Sequence, residues 1–331
     1  MINTKVKSLI LPQQIPDLCV LNSDNHNASN FNSEMWEFEY VCNRYLKGLS
    51  NDELKIRHRD IIRNMLHLVR IDRNKLPINN CMGSWYWFRK EYQTRLELFF
   101  RNITIESDEL FKRIWDLKKA HGADVRDPDI LPNVLFRYEK SCYLDDIVKF
   151  GRIRIGPASK HIQGKDHARY DDELNKTIYL PPNSEAYMSD CNGRKISDID
   201  GSIGITRSVD DYYIYCMSCD FHMNLIKEFI QSDTCMEVCD TDQFINCVMR
   251  GGDAALPNWL FNYGFVHYFD MKDKDPNEHI DPRMCKDFKY AYQREYRFVW
   301  ASVGNTEHTD GYKFINIGPC NMRFRMHTFH D

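Results

Sequence analysis

The chain has 331 residues, 43% hydrophobic and 13% aromatic, which fills one large domain or two modest ones and excludes a wholly disordered protein. Its formal net charge of −4 excludes a surface coated in positive charge for indiscriminate nucleic-acid binding, though not a local basic strip. The N-terminus holds only the short apolar run Leu9–Leu11, and no later run of about 18 apolar residues could span a bilayer, so the expectation is a soluble cytoplasmic protein whose 12 cysteines are reduced thiols.

Residues 1–33 are polar and Asn-rich and read as a loosely held lead-in. A helix is predicted over "SNDELKIRHRDIIRNMLHLVRI", where Ser50 and Glu53 have capping-box spacing and Leu54, Ile61, Ile62, Met65, Leu68 and Val69 recur at helical intervals. A second is predicted over "SWYWFRKEYQTRLELFFRN", with Trp85, Phe88, Tyr92, Leu96 and Phe99 on one side. A third, "SDELFKRIWDLKKAHG", opens at a Ser-Asp cap and stops at Gly122. Residues 34–122 therefore read as a helical accessory domain. The segment 123–133, "ADVRDPDILPN", has two prolines and three aspartates and reads as a linker.

From 134 to 331 the texture changes to short strands: "VLFRYE", "GRIRI", "KTIYL", "DYYIYCMS", "YGFVHYF", "EYRFVWASV" and "KFINI". Two helices are predicted among them, near 221–231 and 241–250. Many strands with few helices between them predict an α+β domain of packed sheets.

There is no Gly-rich phosphate loop, no H-E-x-x-H and no G-x-S-x-G, which disfavours a Rossmann enzyme, a P-loop NTPase and a zincin. Cys216, Cys219, Cys235 and Cys239 have a spacing open to zinc, but the first pair sits in a strand, where residues three apart face opposite ways. Buried thiols are the expectation, and no metal. Lys55, Arg59, Arg63 and Arg70 fall on one helix face, either a solvated face or a contact strip for phosphates or an acidic partner. "GSWYWFRKEYQTR" mixes aromatics and bases as a single-strand stacking surface would, though its helical spacing makes most of those rings core. The cluster "ARYDDEL" (168–174) either lines a cleft or, by default, is a solvated loop.

Three strand-borne motifs carry more. "LFRYE" sets Arg137 and Tyr138 in a hydrophobic strand, "YIYCMS" ends another on Ser218, and "YAYQREYRFVW" puts Gln293 and Glu295 at the mouth of a third. Their order and the Gln-x-Glu spacing resemble the ADP-ribosyltransferase superfamily in its Arg–Ser–Glu class, over roughly 131–331. The middle motif departs from it, since "CMSCD" lacks the Ser-Thr-Ser form of toxin members. The resemblance implies NAD as co-substrate. Glu295 would stabilise a ribosyl cation, Gln293 would meet the acceptor, Arg137 with Tyr138 would bind the dinucleotide, and Ser218 would hold Glu295. The turn bearing Tyr290 and Tyr292 would recognise the target. Within that family Gln-x-Glu accompanies asparagine side chains or guanine bases rather than arginine, so the resemblance implies an acceptor whose edge a neutral amide can match. With Arg59 and Arg63 as a basic strip, RNA is favoured over protein. The overall plan resembles bacterial toxins of phage defence, one group of which modifies mRNA and is restrained by an antitoxin and a chaperone. The alternatives are a binding module without catalysis and plain ion pairing at exposed strand edges, Glu295 with Arg294 or Arg297 and Arg137 with Glu139.

Overall fold

In the computed structural model the capping box closes as its spacing predicts: the Ser50 amide donates to Glu53 Oε2 at 2.7 Å and the Glu53 amide to Ser50 Oγ at 3.3 Å. The structure describes residues 2–5, 27–67, 77–78, 84–104, 124–125, 134–163, 171–180, 185–189, 192, 194–198, 203–221, 223–229, 232–273, 280–303, 311–318 and 324–329. The third predicted helix and all of the expected linker except Asp124 and Val125 lie outside them.

After a short strand at Ile2–Lys5 come three helices, α1 (Asn27–Asn43), α2 (Asn51–His67) and α3 (Ser84–Phe100). α1 begins inside the segment expected to be a loose lead-in. On α2, Leu54, Ile61, Ile62 and Met65 are buried as predicted. On α3 Phe88 is buried as predicted, but it is joined by Trp87 and Leu98, and Phe99 is 71% exposed. The reason is that α3 also buries Lys90, Glu91, Gln93, Thr94 and Glu97, whose polar groups find partners across the helix interfaces.

The main sheet and the elements around the site are β1 (Leu135–Glu139), α4 (Ser141–Phe150), β2 (Arg152–Pro157), β3 (Asn175–Tyr179), β4 (Gly204–Ser208), β5 (Tyr213–Ser218), α5 (Met223–Glu228), β6 (Thr234–Val238), α6 (Thr241–Ala255), β7 (Trp259–Phe265), β8 (His267–Phe269), β9 (Cys285–Asp287), β10 (Glu295–Ser302), β11 (Lys313–Asn316) and β12 (Phe324–Thr328). The fold is mixed α+β with a mostly antiparallel sheet, ordered β7–β10–β5–β1–β6–β12, and β2 pairs with both β5 and β11. One face of the sheet packs Leu135, Tyr213, Tyr215, Met217 and Phe298 against α4 and α6. α4 ends where Gly151 (φ 62°) turns back, and there a Cβ would lie 2.2 Å from the Gly318 carbonyl oxygen.

The helical unit does not stand apart from this sheet. Trp36, Ile61, Ile62, Met65, Trp87 and Phe88 form one apolar cluster with Phe136, Tyr138, Val266, Tyr268, Phe288, Tyr290 and Tyr292. The boundary expected at 123–133 thus separates two architectures that share a core. Among the described residues no helix is long and apolar enough to cross a membrane.

Candidate functional site

The cleft begins with a split in the sheet. Along one edge β5 pairs with β2 at Tyr213 and Ile214 and with β1 at Ser218. Tyr215, Cys216 and Met217 lie between, where the two neighbouring strands have parted. The carbonyl of Cys216 takes its hydrogen bond from Arg137 Nη1 instead of from a strand. A cavity of about 250 Å³ opens at this gap, and Arg137, Tyr138, Ser218, Gln293 and Glu295 all line it. These are the five residues assigned to catalysis and NAD binding from the sequence, brought together from three separate stretches of chain.

Glu295 sits at the start of β10, 6% exposed, opposite Ser218 in the strand register. Its amide donates to Tyr268 Oη at 2.8 Å. Its carboxylate accepts from Arg297 Nε at 2.5 Å and from Lys286 Nζ at 3.0 Å. Arg297 is wholly buried and forks onto both oxygens of Glu173 at 2.7 and 2.9 Å. Lys176 reaches Asp171 at 2.5 Å and Glu173 at 3.9 Å. The floor is therefore a balanced set of three carboxylates (Asp171, Glu173, Glu295) and three cations (Lys176, Lys286, Arg297). Burial alone would raise the Glu295 carboxyl, but the adjoining Arg297 and Lys286 charges outweigh it and hold the group well below the usual carboxylate range. Lys286 loses from burial but gains more from Glu295 and Glu173, and is pushed up to about 12. Both groups are charged at neutral pH.

Gln293 and Glu295 do not share a face through strand alternation. Residues 288–293 form a 3-10 turn, Arg294 adopts a left-handed conformation (φ 41°), and the strand starts only at Glu295. Lys286 Nζ nevertheless donates to Gln293 Oε1 at 3.0 Å as well as to Glu295, so the two side chains converge on one ammonium.

Several expected roles need correction. Ser218 Oγ does not hold the Glu295 side chain: it donates to the Gln293 carbonyl at 2.8 Å and accepts from the Asp220 amide at 3.1 Å, fixing the turn before the strand. Tyr290 and Tyr292 are 7% and 6% exposed, because α2 covers them. Asn64 on α2 caps the same turn, accepting from the Tyr292 amide at 2.8 Å and donating to the Lys289 carbonyl at 3.0 Å. They offer no free acceptor surface. Nor is the basic strip continuous: Arg63 pairs with Glu228 and lies over the Tyr292 ring at 4.7 Å, whereas Arg59 is exposed and Arg70 lies outside the described residues. Both ion pairs of the plain alternative exist, Glu295 with Arg297 and Arg137 with Glu139, but they face the cavity rather than an exposed edge. "ARYDDEL" is not a solvated loop where it is described, since Asp171 and Glu173 are buried. Cys216 with Cys219 lie in and just after β5, and Cys235 with Cys239 in and just after β6, two strands separated by β1, and none of the four is in a disulfide.

Arg154, Lys160, His161, Lys286 and Tyr312 also line the cavity without having been singled out from the sequence, and Glu173 lines it as the cleft alternative for 168–174 allowed. For Arg154 a signal existed: in "GRIRI" Ile153 and Ile155 face the core, so alternation sends Arg154 to the other side.

His161 gives the site a pH signature. Burial drives its imidazole down to about 4 from the ordinary 6.5, with Glu173 and Glu295 opposing and Lys286 and Arg297 assisting. Between those values the unfolded chain binds a proton that the folded chain refuses, so stability falls as pH drops through that window. At pH 4.5 the expected loss is about 2–3 kcal/mol relative to neutral pH. Asp287, raised by burial to about 6, acts in the opposite direction, so His161→Gln is the control. Denaturant midpoints should fall less on acidification in that variant than in wild type. Equal falls would remove His161 from the account.

No protein-family model matches this chain, and neither the curated proteins nor the solved structures compared with it give a match. Function therefore has to be read from the cleft.

Proposed function

We propose that the cleft binds NAD and transfers its ADP-ribose to a macromolecular acceptor, RNA before protein. One observation carries the reading: Arg137, Tyr138, Ser218, Gln293 and Glu295 line a single cavity at a split in the sheet. At about 250 Å³ it is smaller than the ~300–1,000 Å³ of pockets that swallow a drug-sized ligand, so it encloses one end of the dinucleotide.

In the reaction the bond between C1′ of the ribose and the nicotinamide nitrogen breaks, and nicotinamide leaves neutral with the bonding pair. Positive charge develops on the ribose, as in glycoside cleavage. A fixed, water-poor carboxylate beside it is the group that chemistry needs, and Glu295 supplies one. The acceptor's lone pair then closes the new bond to C1′, and its proton passes to solvent. Arg297 is matched by Glu173, so its contact orients the Glu295 carboxylate. Lys286, on a flexible stem, is the cation that yields Oε2 to the ribose hydroxyls. The acceptor preference rests on the neutral amide of Gln293 and on exposed Arg59. A role in phage defence with an antitoxin and a chaperone is proposed on the resemblance alone.

A second reading, a nucleotide-binding module without turnover, is favoured by Lys286 itself, which puts a like charge where the ribosyl cation would form. One experiment separates the two: adenine-labelled NAD is incubated with the protein and either total RNA or nuclease-treated lysate. Nicotinamide release with nuclease-sensitive label is the expected result. Protease-sensitive label would move the acceptor to a protein amide. NAD binding without nicotinamide release would leave the second reading, and no NAD binding would end both.

A further inference from the structure

Arg137 is the residue the sequence assigns to the dinucleotide, yet both of its terminal nitrogens are engaged, and only Nε, buried, has no hydrogen-bond partner. Nη1 donates to the Cys216 carbonyl, Nη2 donates to Glu139 at 2.8 Å, and the guanidinium lies 4.6 Å from the Tyr215 ring centre. Its register also sets it apart from Glu295. Phe136 pairs with Ser218 and Ser218 with Glu295, so those three share one sheet face and Arg137 belongs to the other.

Arg154 has the opposite placement. Gly156 pairs with Ile214 of β5, and Arg154 lies two residues before Gly156, so its register face is the one shared by Ile214, Cys216, Ser218 and Glu295. Its guanidinium carbon is held 3.8 Å from the Tyr143 ring centre and 4.5 Å from that of Tyr312. The Lys160 ammonium sits 4.0 Å from the centre of the same Tyr312 ring. Gly156 lets that ring lie on bare backbone, since a Cβ there would come within 3.0 Å of Tyr312 Cε1. Among the described residues neither Arg154 nor Lys160 has a carboxylate partner or a hydrogen bond. Among the described residues, two like charges are thus gathered on one ring at the wall of a cavity with no carboxylate paired to either.

We propose that Arg154 and Lys160 form a diphosphate-binding subsite, with Tyr143 and Tyr312 as its clamp, and that Arg137 is a strut closing the split in the sheet. This deepens the NAD reading and rests on it for the identity of the ligand. The match is one of charge and shape: a diphosphate brings two negative charges to two cations, and its paired oxygens fit a guanidinium fork whose aromatic neighbours fix its plane. Lys160, exposed and flexible, adds a point charge at the rim.

Calorimetric titration with inorganic pyrophosphate, ADP-ribose and nicotinamide riboside tests the subsite on wild type, Arg154→Gln and Lys160→Gln. Pyrophosphate and ADP-ribose should bind wild type and weaken at least about tenfold in Arg154→Gln, the loss expected for one charge-assisted fork. Lys160→Gln should weaken both less, and nicotinamide riboside, which has no phosphate, should be indifferent to either change. Wild-type binding should weaken with salt more steeply than that of Arg154→Gln. Lys160 is a surface residue, so its variant stays informative if Arg154→Gln melts early. Pyrophosphate affinity unchanged in both variants, or absent from wild type, overturns the subsite. Loss of pyrophosphate binding in a protein that never releases nicotinamide keeps the subsite and sinks the transferase reading. NAD turnover with unchanged KM in Arg154→Gln does the reverse.

Discussion

Replacing Glu295 by glutamine in a Lys286→Met background is expected to lower nicotinamide release about 10²–10³-fold relative to Lys286→Met alone, the cost typical of removing one preorganised group aimed at developing charge. The background is chosen for electrostatic reasons. Glu295 belongs to a buried set whose charges balance, and taking one carboxylate away leaves Arg297 and Lys286 sharing too little negative charge. An uncompensated buried charge costs about 3–5 kcal/mol, enough to unfold the protein and mask any catalytic effect. Methionine keeps much of the apolar stem of Lys286 and removes its charge, so the paired substitution returns the floor to neutrality. Lys286→Met alone leaves one carboxylate in excess and should lose stability by a similar amount, so release is compared at a temperature where both variants are folded; there the single variant should keep its turnover or gain some, because the like charge beside the ribosyl cation is gone. Equal nicotinamide release in the single and double variants would show that the carboxylate does no chemistry, and the ion pairs would then be purely structural.

How far the sequence could foresee this site depends on which physical signal each residue carried. Gln293, Glu295, Ser218 and Arg137 were legible because each is a polar residue set in a run of strand-forming ones, a local contrast that needs no tertiary knowledge. Lys286 was not, and Glu173 only as one member of a charged cluster with two readings, since only the packing of the turn at 288–293 and the fork from Arg297 brings them beneath Glu295. Tyr290 and Tyr292 were misread for the same reason in reverse: an aromatic turn before a strand looks exposed until α2 is laid over it. Helix α1 was hidden by the asparagines that open it, although Trp36 and Tyr40 are core residues. The register of β5 against β1 and β2, which creates the cleft, follows from long-range pairing that a single sequence does not encode locally.

Asp270→Ala is expected to destabilise the whole chain by about 3–5 kcal/mol, with one unfolding transition moved down rather than a second one split off. Asp270 follows β8 and is 3% exposed; its Oδ1 accepts from Arg57 Nη1 at 3.0 Å and its Oδ2 from Arg57 Nη2 at 2.5 Å. Lys90 Nζ lies 2.8 Å from the same Oδ2 and 2.5 Å from Asp273. Burial would raise this carboxyl, yet Arg57 and Lys90 hold it far below the ordinary range, so its contribution is present at neutral pH and lost only in strong acid. The two cations come from α2 and α3, which makes this carboxylate a buried electrostatic tie between the helices and the end of the β8–β9 pair. Removing it strands the buried Arg57 charge and leaves Lys90 with Asp273 alone, a larger penalty than the net worth of the pair itself. The consequence reaches the cleft, because Arg57 also stacks 4.8 Å from the ring of Phe288, the first residue of the turn that delivers Gln293 and Glu295. Denaturant titration followed by both far-ultraviolet circular dichroism and tryptophan fluorescence checks the shift. Coincident transitions at a lower midpoint fit one shared core. A midpoint equal to that of wild type, or two separated transitions, would mean that the helices are an appendage and that their grip on the turn at 288–293 has no part in setting the geometry of Glu295.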